Sequence, residues 1–155
     1  MTTVERHGRP AIRLFVREEL PGPARRRRRA VIEGFERLTA DGRVASFDLV
    51  RWPKRFERAG TEDERVRETY AAFVDWARAA GVSLSPFFDV RECYSTATGA
   101  RDEWIVLPVL CVAVFEDGVL KTVYPHADGD ETRSVADCLA DLESGGERER
   151  PVIAP

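Results

Sequence analysis

Lysine is nearly missing from this 155-residue chain: Lys54 and Lys121 stand against 22 arginines. The cationic groups are therefore planar forks rather than point charges, in keeping with GC-rich codon usage. Histidine is scarce too, with His7 and His126 alone. Cysteine is few and odd in number: Cys93, Cys111 and Cys138 are widely spaced, which points to reduced thiols rather than a disulfide framework. No C-x-x-C or H-x-x-x-H spacing exists, so no zinc site is expected. There is no glycine-rich phosphate loop, no paired-carboxylate signature and no heptad repeat, and no cofactor or metal is expected. No apolar stretch approaches the roughly 18 to 20 residues of a membrane span, and the start lacks an apolar signal region. The expectation is a soluble, cytoplasmic protein with no membrane partner.

What the chain does have is five consecutive arginines, Arg25 to Arg29, opening an amphipathic pattern in PGPARRRRRAVIEGFERLTADG. Cations suit the C-terminal end of a helix, where the carbonyl end of the macrodipole attracts them, and here they crowd the first turns. Five residues at 100° each span about 400°, so the run cannot stay on one solvent face. The apolar stripe is Val31, Phe35 and Leu38, and one turn back from Val31 lies Arg27 or Arg28. One guanidinium must therefore lie beside the core face, snorkel, or pair.

Charge is unevenly divided. Residues 8–58 carry 14 basic and 7 acidic side chains, and residues 59–155 carry 9 and 19. Such a division suits an anionic partner for the front part, or mutual attraction of the two parts within the fold.

Ala11–Arg17 alternates as a strand, and Pro21-Gly22-Pro23 breaks it. Pro23 suits the first position of a helix running to about Ala40. Val44–Trp52 reads as a second strand and residues 54–60 as a charged loop. Thr61 with Glu64 forms a capping box for a second helix, whose stripe is Val66, Tyr70, Phe73, Ala77 and Ala80 and whose stop is Gly81. Phe87–Ser95 and the apolar stretch Glu103–Phe115 are strands. Pro108 within the second implies a bulge or an edge. Asp117-Gly118 supplies a hairpin turn before Val119–Tyr124. Ser134 caps a last helix, Val135–Leu142, closed by Gly145-Gly146.

The order β-α-β-α-β-β-β-α predicts an α+β fold. It is a two-layer sandwich: one mixed sheet of about five strands, the first two parallel, with helices on one face. Residues 1–8 are expected to be a flexible N-terminus, 9–145 a single domain, and 146–155 a disordered tail.

The stretches LFVREELPGPARRRRRAVIE, RECYSTATG, VLPVLCVAVFEDG and VYPHADG resemble a haloarchaeal family whose members are labelled helix-turn-helix domain proteins. The likeness covers about residues 9–145. It implies DNA binding and transcriptional control, with no particular enzymatic activity. A helix-turn-helix needs two helices joined by a short turn, and this element order sets a strand between the first two.

Two groups of residues are candidates for function. Arg25, Arg26 and Arg29, with Lys54 and Arg55 and the nearby ring of Trp52, suit phosphate oxygens or an acidic protein. In a molar-salt cytoplasm the Debye length falls to about 3 Å and counterion release weakens, which limits simple electrostatic DNA binding. The second group is Cys93, Tyr94, Tyr124 and His126. They converge at one edge if the last three strands form an up-down-up meander, with Trp104 at the start of the strand between. A thiol near an imidazole is the minimum for an activated thiolate. The first group favours a non-enzymatic binding or regulatory domain with DNA or an acidic protein as its partner. The alternative is a small-ligand or thiol-dependent domain at the strand ends.

Overall fold

A computed structural model describes residues 9–61, 63–94 and 96–153. The expectation of a flexible 1–8 segment lies outside these residues, as does the end of the expected tail. The fold is α+β. Its elements are β1 (Ala11–Arg17), α1 (Gly22–Ala40), β2 (Ser46–Trp52), β3 (Arg55–Glu57), α2 (Glu64–Ala80), β4 (Asp89–Tyr94) and β5 (Arg101–Val106), followed by β6 (Leu110–Glu116), β7 (Val119–Tyr124), β8 (His126–Asp128), β9 (Glu131–Arg133) and α3 (Val135–Ile153). The last helix runs through Gly145 and Gly146, beyond its expected end at Leu142.

The main sheet has four strands in the order β2-β1-β6-β7, rather than about five. β1 and β2 run parallel across the α1 crossover, as the opening βαβ pattern requires. β6 is antiparallel to β1 and to β7. The β6–β7 turn is Asp117-Gly118, with φ of 54° and 79°, the left-handed pair that a two-residue hairpin needs. A second sheet has the order β3-β5-β4 and a third pairs β8 with β9. β3 falls in the expected charged loop, where Phe56 is the buried residue between two charged neighbours.

Pro108 does more than bulge one strand. The apolar stretch divides there, β5 entering the small sheet and β6 the main one. A prolyl nitrogen cannot donate to a ladder, so pairing stops and the chain changes sheets. The seam is tied on both sides. The Leu107 amide donates to the Lys54 carbonyl at 2.8 Å and the Arg17 amide to the Val109 carbonyl at 3.2 Å. Trp52 Nε1 donates to the Pro108 carbonyl at 3.2 Å. The Arg17 guanidinium, through Nε at 3.1 Å and through Nη2, donates to the carbonyl of the fully buried Leu107.

Helices cover both faces of the main sheet, not one. Ile12, Leu14, Val16, Val112 and Val114 pack with Val31, Phe35 and Leu38 of α1 and with Val135 and Cys138 of α3. Phe15, Cys111, Ala113 and Val123 face the other way, onto Phe73 and Ala77 of α2 and onto Trp52, Phe56, Phe88 and Ile105. The side chains of one strand alternate between faces, so β1 and β6 feed two cores at once.

Candidate nucleic-acid interface

α1 begins without the usual devices. Pro21 is its N-cap, a proline occupies its first turn, no side chain caps the free amides and no acidic residue stands there. The residues that do stand there are arginines. Arg25, Arg26, Arg27 and Arg29 are exposed and Arg28 is half-buried. Val31, Gly34, Phe35 and Leu38 hold the helix onto the sheet, which turns Arg25, Arg26 and Arg29 to the opposite side. None of the five guanidinium groups makes an ion pair or hydrogen bond to another described residue. Arg28, as the half-buried one, is the arginine nearest the core edge. Of the outcomes the helix geometry leaves open for it, pairing is not formed among the described residues.

Among the described residues few ion pairs link the basic and acidic parts of the chain. Arg58–Glu103, at 3.1 Å between exposed groups, joins them. Arg91–Asp89 and Arg133–Asp141 lie within the acidic part. Exposed pairs of this kind contribute about 0 to 1 kcal/mol each.

Arg25, Arg26, Arg28 and Arg29 line one open groove along α1 with Ile32, Glu33 and Glu36. The positive end lies over the first two turns and the two carboxylates farther along. Lys54 is exposed and shares a second groove with Arg17, Pro21, Pro53 and the carboxylates Glu18 and Glu19, where the end of β2 meets the start of α1. Arg55 is exposed on β3, its guanidinium 4.9 Å from the centre of the Trp104 ring. The ring expected to offer a stacking face, Trp52, is buried against Phe15 instead. The ring beside this basic group is half-buried Trp104, which Arg55 itself covers. Sequence reasoning missed it because Trp104 and Arg55 are distant in the chain and meet only through β3–β5 pairing.

The strand-end cluster does not assemble. It required a continuous meander, and the sheet change at Pro108 removes it. Cys93 and Tyr94 lie exposed on β4, an edge of the small sheet. Tyr124 and His126 do meet, with ring centres 5.3 Å apart. His126 is buried against Trp76, its Nδ1 2.6 Å from the Val123 carbonyl oxygen. Among the described residues nothing joins the thiol to the imidazole. Cys111 is core, as expected, and burial pushes its thiol pKa well up.

A family described as a helix-turn-helix domain matches residues 4–147. The chain belongs to that family. No curated protein and no solved structure matches it. Among the described residues no two helices are joined by a short turn. β2 and β3 separate α1 from α2, and six strands separate α2 from α3. The helices that meet closely are α1 and α3. A Cβ on Gly34 would lie 3.0 Å from Leu139 Cδ2.

Proposed function

We propose that this member of the helix-turn-helix family is a DNA-associated regulatory domain that grips the phosphate backbone with the first two turns of α1. The observation that carries the reading is an arginine run whose side chains have no partner among the described residues, on an uncapped, acid-free helix start. Free amides at a helix start and guanidinium forks both suit phosphate oxygens. Arg25, Arg26 and Arg29 supply the contacts, and Lys54 and Arg55 extend the basic edge. Contacts of this type position a protein on the duplex without reading bases. The domain is not an enzyme on this reading.

The test is fluorescence anisotropy with a labelled random-sequence duplex over a salt series, comparing the natural chain with Arg25→Gln/Arg26→Gln/Arg29→Gln. The slope of log affinity against log salt should flatten by about 0.9 for each phosphate that is no longer neutralised, hence by about 2 to 3. The unfolding midpoint should stay or rise, because exposed cations at this end cost the helix a few tenths of a kcal/mol each. Equal affinity and slope in both proteins, or a triple variant that unfolds readily, defeats the reading.

A further inference from the structure

We infer that β2 is a self-pairing edge, and that two copies of this chain join their main sheets there about a twofold axis through Leu49. The argument starts from the ladder. β2 ends the four-stranded sheet and pairs only with β1 among the described residues. The Glu18 amide donates to the Trp52 carbonyl at 3.2 Å, so the Trp52 carbonyl points toward β1. Backbone groups alternate sides along a strand. Ser46, Asp48, Val50 and Trp52 are therefore spent on β1, and Phe47, Leu49 and Arg51 aim their amides and carbonyls outward.

Exposed edges of this kind are usually blunted by a proline, a lysine, a bulge or a covering element. Among the described residues β2 has no proline, lysine or bulge within its length, and its charges are one acidic and one basic side chain, Asp48 and Arg51. Its register with β1 runs unbroken over all seven pairs, from Ser46 to Trp52. Leu49, at its centre, is 45% exposed, one of the few large apolar side chains left in solvent.

A second β2 fits this edge in one register. A twofold axis perpendicular to the sheet keeps each side chain on its own face, so antiparallel partners must have numbers with an even sum. Centring on Leu49 sets Leu49 against Leu49 of the second copy, and Phe47 against Arg51 in both directions. All three outward residues are then hydrogen-bonded, and two exposed leucines cover each other. The Arg51 stem lies over the Phe47 ring, an arrangement the chain already uses where Arg13 covers Phe115 and Arg55 covers Trp104. A centre on Asp48 sets the two Asp48 carboxylates directly opposite and Arg51 beyond the strand against Ala45, a centre on Val50 sets Phe47 against Pro53, and a centre on Phe47 or Arg51 runs the ends off the strand. On the other face the two Asp48 carboxylates become diagonal neighbours, about 7 to 8 Å apart. Their repulsion is screened by salt, so association should strengthen as salt rises, opposite to phosphate binding. The axis also sets both α1 helices on the same face of one continuous eight-stranded sheet.

The experiment uses the full chain without DNA, so its failure leaves the DNA reading standing. Sedimentation under reductant, at about 100 μM and from 0.1 to 2 M salt, should give a dimer that tightens with salt. Leu49→Lys, which sets two like charges on the axis, should be a folded monomer by far-UV circular dichroism. Leu49→Pro removes only an outward amide and should also be monomeric. In a Cys93→Ser background, Leu49→Cys should cross-link to itself under mild oxidation, because hydrogen-bonded antiparallel partners lie about 5.5 Å apart at Cα. Arg51→Cys should not. A monomer at every salt concentration overturns the inference. So does a dimer that survives both Leu49 variants, or one in which Arg51→Cys cross-links as readily as Leu49→Cys.

Discussion

Ser134 and Asp137 show at the scale of single residues how closely an end can be tied. The Ser134 amide donates to Asp137 Oδ2 at 2.8 Å, and the Asp137 amide donates to Ser134 Oγ at 3.1 Å. This reciprocal box starts α3, as Ser134 alone foretold. Ser134→Ala should lower stability by about 1 kcal/mol in urea unfolding. The Ser134 amide also holds the Asp137 carboxyl pKa below its usual value of 3.8. A lowered folded pKa means that the contribution is present above the unfolded value and lost as pH falls through the folded one. Asp137→Asn should therefore flatten the acid limb of the stability profile. Arg17 is the other telling residue. Its guanidinium satisfies the buried Leu107 carbonyl. Arg17→Met should cost about 1 to 3 kcal/mol, because an acceptor at the seam is left without a donor. A cost near zero would mean that water reaches Leu107.

Among the elements, α2 corrects a cap that the sequence spells plainly. Thr61 and Glu64 have the spacing of a capping box, yet the helix starts at Glu64 behind Asp63, whose φ is 58°, and no side chain caps it. Spacing alone cannot reveal that the chain enters through a left-handed residue. Thr61→Ala should consequently change the unfolding midpoint little, by less than about 0.5 kcal/mol. The hairpin is the opposite case. Asp117-Gly118 was readable because few residues accept two positive φ angles in succession, and Gly118→Ala should cost about 1 kcal/mol. β1, α1, β2 and α2 were legible from period and punctuation. β3 was not, since three residues with one apolar side chain make no period. The helix that carries the five arginines was legible in its bounds and its apolar stripe, whereas the strand-end residues are divided among three sheets. The premise of the strand-end cluster was that neighbouring strands pair, and Pro108 marked a break without saying where each half would go.

At the scale of the molecule the three thiols report on both cores. Cys93 is exposed, while Cys111 and Cys138 are buried on opposite sides of the main sheet. A thiol reagent should modify Cys93 rapidly in the native protein and the other two only on unfolding. Burial is the main cause that raises the Cys138 pKa from 9.0 to about 12. A raised folded pKa leaves its contribution whole below pH 9 and removes it as pH climbs toward 12. Buried Cys111 and half-buried Tyr70 and Tyr124 shift the same way, so stability should fall on the alkaline side, and Cys138→Ala should lessen that fall. The two-sided burial of the main sheet has one more consequence. β1 and β6 are walls shared by two rooms, while β2 and β7 each show an open side. A saturation scan scored by survival of folded protein should accordingly print two textures. Along Leu14–Val16 and Leu110–Val114 nearly every position should refuse a polar residue. Along Ser46–Trp52 and Val119–Tyr124 the refusals should be fewer, falling on Phe47, Val50 and Trp52 in the first and on Leu120, Val123 and Tyr124 in the second, with tolerant positions between them.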